Sequence, residues 1–162
     1  MPYALLALVL VILDQVVKYL VLTHIPLGGY VPFLPHVVCL TYVQNTGAAF
    51  SMFSQHTWIL AFISLVMSVV LAVALWKNFF THPLGKVTLA LLLAGAVGNL
   101  IDRTLRGFVV DMFQLLFMNF AGFNVADICV VVGGIAAAAY YLLLADKLEH
   151  KEAPHGTADA DR

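Results

Sequence analysis

The chain has 162 residues, 62% of them apolar and 10% charged, where a soluble domain has about 45–50% and about 25%. A formal net charge of −1 leaves no basic stripe for phosphate contacts. These values exclude an ordinary water-soluble globule, a disordered chain and a nucleic-acid-binding module. The expected fold is an all-α integral membrane protein with four transmembrane helices in one domain over 1–145. A small extracytoplasmic β-sheet and an interfacial loop or helix are expected to accompany it.

The first predicted span, 3–22, is apolar except for Asp14, Gln15 and Lys18. It lacks a basic start and carries an acid and a base inside its apolar run, unlike a cleaved signal peptide. In the outer loop, 23–57, Gly28, Gly29, Pro32 and Pro35 break the chain. There Val37–Val43 is β-branched and apolar and ends on the turn signal Asn45-Thr46-Gly47, which predicts a strand of a small sheet against the membrane. The second span, 58–76, is uncharged and bracketed by Trp58 and Trp76; at about 1.5 Å per residue it is about one hydrocarbon core long. The third, 87–105, stays apolar until Asn99, Asp102 and Arg103. An outer segment, 106–124, then holds Phe108, Phe113, Phe117, Phe120 and Phe123. Such an aromatic cluster either anchors in the interface or walls a site for a lipid-bearing ligand. The fourth span, 125–145, carries one charge, Asp127. The remainder, 146–162, has the composition of a disordered cytoplasmic tail.

Basic residues set the direction. Lys77 and Lys86 lie between spans two and three, and Lys147, Lys151 and Arg162 follow span four, whereas Thr23–His56 has no Lys or Arg. Both termini are therefore expected in the cytoplasm and both outer loops outside. Asp14 and Lys18 then lie about 16 and 22 Å from the inner end of span one, and Asp102 about 22 Å up span three. Asp127 falls about one turn below the outer surface, and Asp111 lies just past span three. Every acid before the tail thus sits in the outer half of the bilayer or at its edge. An ionisable group within a span costs about 2.5–3.5 kcal/mol, and one polar site near the outer face accounts for their shared depth.

Local spacing separates these acids. Asp14 has Lys18 at i+4 and Asp102 has Arg106 at i+4, arrangements that neutralise charge. Asp111 and Asp127 have no basic residue within four positions. If they face each other, one stays protonated, which is the condition for an aspartyl protease dyad; the alternative is two separate hydrogen-bonded acids. Asn99, Asp102 and Arg103 share one helix face, with Gly95 and Gly98 near it to admit another backbone. In span four, Asp127, Val131, Gly134 and Ala138 form a stripe whose small members are expected to pack tightly beneath the acid. Asn45 and Asn124 at the outer edge can bond a substrate backbone or the carboxylates, and Asn124 can equally cap span four. The histidines are scattered without ligand spacing, so no metal is expected. No nucleophile-elbow or phosphate-loop pattern occurs. Cys39 and Cys129 are read as small hydrophobes.

Five blocks carry a family resemblance: Asp14-Gln15-Val16-Val17-Lys18, Asn45-Thr46-Gly47-Ala48-Ala49-Phe50-Ser51, Gly98-Asn99-Leu100-Ile101-Asp102-Arg103, Val109-Val110-Asp111 and Phe123-Asn124-Val125-Ala126-Asp127. In this order, over residues up to about 145, the chain resembles the bacterial lipoprotein signal peptidases (signal peptidase II). The resemblance implies an aspartic endopeptidase with Asp111 and Asp127 as catalytic residues. It also implies substrate-binding or site-ordering roles for Asn45, Gly47, Asn99, Arg103 and Asn124, and structural polar roles for Asp14, Lys18 and Asp102. The implied substrate is a diacylglyceryl-modified prolipoprotein, cut on the N-terminal side of its lipidated cysteine. No cofactor and no nucleic acid are implied, and the partners are substrate and membrane lipids. The expected form is a monomer in the bacterial cytoplasmic (inner) membrane, with its site near the outer face. The contrasting reading is a small proton-coupled transporter with the aspartates as a relay; against it, spans two and four are apolar toward the cytoplasm. A non-catalytic scaffold is the third possibility.

Overall fold

The structure is a computed structural model and describes residues 2–47 and 57–142. The expected tail 146–162, and Ala48 to Ser51 of the second block, lie outside the described residues. In chain order the elements are α1 (Pro2–His24), β1 (Tyr30–Leu34), β2 (Val38–Asn45), α2 (Thr57–Trp76), α3 (Pro83–Leu105), β3 (Val109–Leu115) and α4 (Val125–Tyr140). Helices α1, α2 and α3 are each long and apolar enough to cross a membrane, whereas α4 is a shorter apolar helix over the described residues. Their large apolar side chains point outward: Leu5, Ile12, Phe62 and Val69 are exposed. Such apolar surface suits lipid and not water.

Helix α3 is the hub and packs against α1, α2 and α4. It begins earlier than the apolar run indicated, because His82 caps it and Pro83 occupies its first turn, where a missing N–H costs nothing. Two glycines admit its neighbours. A Cβ on Gly95 would come within 2.5 Å of the Ala126 carbonyl, and one on Gly98 within 2.7 Å of Asp14 Oδ2. Away from the strands, α1 and α3 meet through Ala7, Ala90 and Ala94.

The seam on α4 differs from the predicted stripe. Gly134 faces open space, and Val131 and Ala138 are exposed. Packing runs instead through Ala126, Val130 and Gly133, the last against Leu91 and Leu92. This i, i+4, i+7 row is offset from Asp127 by about one residue's rotation, roughly 100°. Asp127 is consequently offset from that row, while its carboxylate still meets Asn99 of α3 at 2.8 Å.

The three strands form one antiparallel sheet in the order β1-β2-β3. β2 follows the β-branched run read from sequence. β3 is a correction, since the segment after α3 was expected as an interfacial loop or helix. Val109-Val110-Asp111-Met112-Phe113 alternates, and that period of two pairs with β2. Val110 and Met112 turn to a core with Val21, Ile25 and Tyr42. Asp111 therefore turns to the opposite face, toward Asn45 and Asn124. The chain then returns on itself: Phe113 N–H donates to the Phe123 carbonyl at 2.9 Å, and Phe123 N–H donates back at 3.0 Å.

Candidate active site

That return sets the next residue, Asn124, beside Asp111. Asn124 Nδ2 donates to Asp111 Oδ1 at 2.8 Å. Asn124 also caps α4: its Oδ1 accepts from Asp127 N–H at 2.9 Å, while its own N–H donates to Asp127 Oδ2 at 3.2 Å. The Asn-x-x-Asp spacing is a capping box. Cap and ligand are thus one residue, and the same asparagine holds both acids.

The remaining carboxylate oxygens also meet asparagines. Asn45 Nδ2 donates to Asp111 Oδ2 at 3.0 Å, and Asn99 Nδ2 donates to Asp127 Oδ1 at 2.8 Å. Each amide is oriented by a donor on its oxygen: Gly47 N–H for Asn45, Asp127 N–H for Asn124, and Lys18 Nζ for Asn99. None of the three can turn over without placing oxygen against carboxylate and N–H against a donor. Asp111 is buried, and its carboxyl is pushed up to about 6, first by burial and then by the negative charge of Asp127. The Asn124 and Asn45 hydrogen bonds and the Lys18 charge oppose this rise without cancelling it.

Behind the pair lies a buried ionic cluster. Lys18, fully buried, reaches Asp14 Oδ2 at 2.9 Å and Asp102 Oδ2 at 3.1 Å. Arg106 closes the other side of Asp102. Both spacings read from sequence therefore form. The cluster also joins elements that spacing could not connect. Asp14 Oδ1 accepts from Ala126 N–H at 2.8 Å, and Asp102 Oδ2 accepts from Val110 N–H at 3.0 Å. These bonds tie α1 to the start of α4, and α3 to β3, fixing the two strands of chain that carry Asp127 and Asp111. Gln15, not assigned a role from sequence, donates to Asp14 Oδ2 at 3.1 Å and to the Gly98 carbonyl at 3.2 Å. Its signal was a second polar side chain beside Asp14 in an apolar run.

A cleft of about 480 Å³ opens beside the pair. Asn45, Asn99, Arg103 and Asp127 line it together with apolar groups that include Val131, Phe120 and Phe123. Asp111 lies behind Gly122, whose Cβ would sit 3.3 Å from that of Asp111. Arg103 extends to the Gly47 carbonyl at 3.4 Å and Ser64 Oγ at 3.5 Å, and its Nε is buried with no partner among the described residues. Phe123 stacks near Phe113 and Phe120, with centroids 5.5 and 6.2 Å apart. Part of the aromatic cluster thus walls this cleft.

Comparison with known proteins agrees with this architecture. The sequence pattern of the family described as signal peptidase (SPase) II matches residues 6–143. The chain belongs to the signal peptidase II family. The lipoprotein signal peptidase of Enterococcus faecalis is 43% identical over 155 residues, covering 96% of this chain and 95% of the relative. That of Streptococcus pneumoniae is 46% identical over 138 residues, covering 82% and 86%. A bacterial membrane enzyme solved by the in meso method at 2.3 Å resolution superposes with a TM-score of 0.82 at 30% identity, covering 98% of this chain and 94% of the other. A second such structure, at 1.9 Å, gives 0.80 at 32% identity, covering 88% and 94%. The family membership and the apolar helices together make this a membrane-bound protease of lipoprotein processing.

Proposed function

We propose that this protein is an aspartyl endopeptidase that removes the signal peptide from diacylglyceryl-modified prolipoproteins, cutting on the N-terminal side of the lipidated cysteine. The observation that carries the reading is the pairing of Asp111 and Asp127 through Asn124 beside an apolar cleft. Asp111 holds the shared proton at rest, in keeping with a carboxyl raised to about 6. Ionised Asp127 takes a proton from water, and the resulting hydroxide adds to the scissile carbonyl as Asp111 protonates its oxygen. Collapse of the tetrahedral intermediate breaks the C–N bond. Asp127 then gives its proton to the leaving amine, and Asp111 recovers one from the hydroxyl. Arg103 offers its buried Nε–H to the substrate backbone.

In this reading α4 crosses the membrane with α1, α2 and α3, and the sheet and dyad lie at the outer face of the cytoplasmic membrane. Both termini are cytoplasmic. Lys77, on the connection between α2 and α3, and Lys86, in the first turn of α3, lie at the end of the bundle away from the sheet and support that direction. The lipid places the scissile bond near the membrane surface, where the dyad meets it. The relay alternative gains nothing, since α1 and α3 are packed with alanine at the end away from the sheet.

Incubation of the purified protein with a lipidated precursor in detergent, read by mass spectrometry, tests the reading. The expected product begins at the modified cysteine, forms in the presence of a metal chelator, and does not form from unlipidated precursor. Equal cleavage of both precursors would remove the substrate assignment.

A further inference from the structure

We infer that Lys18 is a positioning residue for the dyad, acting through the side-chain amide of Asn99; this rests on the peptidase reading above. Three buried acceptors surround the ammonium: Asp14 Oδ2 at 2.9 Å, Asp102 Oδ2 at 3.1 Å and Asn99 Oδ1 at 3.1 Å. An ammonium has three hydrogens and no acceptor, so all three are used. Two of these contacts neutralise charge. The third does something different, because Asn99 carries no charge to balance.

An amide has two chemically opposite ends of nearly equal shape. With Lys18 donating to its oxygen, Asn99 must turn its N–H end to Asp127 Oδ1, 2.8 Å away. The other two amides at the pair are set by local turns, Asn45 by the N–H of Gly47 and Asn124 by that of Asp127. Asn99 lies in the middle of a helix, with its backbone committed to α3. Its orientation is therefore set from another helix. Lys18 touches neither the cleft nor a dyad carboxylate, and its side chain is fully buried. A purely structural lysine would need only its two aspartates. The added contact lets α1 fix the direction of a hydrogen bond at the reacting acid.

The experiment separates charge balance from amide orientation. Lys18→Met alone leaves two buried acids short of their cation, so it is paired with Asp14→Asn to restore neutrality. Thermal melting in detergent reports folding, and kcat and KM are measured on lipidated precursor. The expected result for Lys18→Met/Asp14→Asn is a folded protein with KM within about twofold of wild type and kcat lowered about 100-fold, the scale of a displaced catalytic group. A folded double variant with wild-type kcat overturns the positioning role. If the double variant does not fold, Asn99→Asp decides. That change keeps an oxygen for Lys18 and removes the N–H from Asp127; a folded protein with kcat about 100-fold down supports the role, and unchanged kcat overturns it. Asp127→Asn measured alongside keeps the two ideas apart: an active Asp127→Asn removes the dyad itself, whereas its inactivity beside an active double variant removes only the part played by Lys18.

Discussion

Asn124 donates its side-chain N–H to Asp111 at 2.8 Å, although the two belong to different elements and one of them caps a helix. The contact exists because Phe123 pairs with Phe113 and returns the chain to β3. Stability and activity can be separated at this residue. Asn124→Asp keeps a capping oxygen but loses the donor to Asp111 and adds a like charge. It should fold with kcat lowered at least about 100-fold, the scale of one lost preorganised donor. Asn124→Ala should lose the cap as well, at a further cost of about 0.5–2 kcal/mol, read as a lower melting temperature.

The two glycine environments give an opposed pair of outcomes. Gly95→Ala drives a methyl into the Ala126 carbonyl and Val130, and should destabilise by about 1–3 kcal/mol. Gly134→Ala meets nothing within 4 Å, and should be neutral or up to about 1 kcal/mol stabilising through helix propensity. Thermal inactivation of the two variants in one detergent compares them directly. A damaging Gly134→Ala would restore the stripe first read from sequence.

Asp14 joins α1 to the first turn of α4 and balances Lys18. Asp14→Ala leaves a buried cation short of one partner and the Ala126 N–H without an acceptor. A loss of about 3–5 kcal/mol is expected, measured as a fall in melting temperature. Lys77→Ala, on an exposed turn, should change it little.

Protonation of Asp111 links pH to both stability and rate. A carboxyl raised from 3.8 to about 6 shows that the native state favours the protonated form. Its stabilisation is complete below the unfolded value and is lost as pH rises through about 6. Melting temperature should fall as pH rises from 3.8 to about 6 and level off above that value, and Asp111→Asn should flatten this dependence. With Asp111 as the acid of the proposed mechanism, kcat/KM should decline as pH rises above about 6. A rate that climbs across this window would reverse the assigned roles of the two aspartates.

Much of the site was legible in sequence wherever its geometry is local. Asp14 with Lys18, Asp102 with Arg106, and the Asn124-to-Asp127 cap are all separated by one helical turn, so spacing alone predicts them. The three helices long and apolar enough to cross a membrane were legible because hydrocarbon demands long apolar runs. β3 was missed because the phenylalanines of segment 106–124 suited an interfacial segment equally well, and its pairing with β2 joins positions far apart in the chain. The stripe on α4 failed for a related reason. Periodicity says which residues share a face, but only the neighbouring helix decides which face is buried. Asp111 and Asp127 stood out as unpaired acids, while their connection through Asn124 depends on a strand return that periodicity does not encode.

The central claim is that Asp111 and Asp127 act as one catalytic unit. Single-turnover cleavage of a lipidated precursor by folded Asp111→Asn and Asp127→Asn variants tests it most directly. Both should lose at least about 1,000-fold in rate, and the double variant should be no worse than the poorer single one, as expected for residues that work together. Near wild-type cleavage by either folded variant would contradict it.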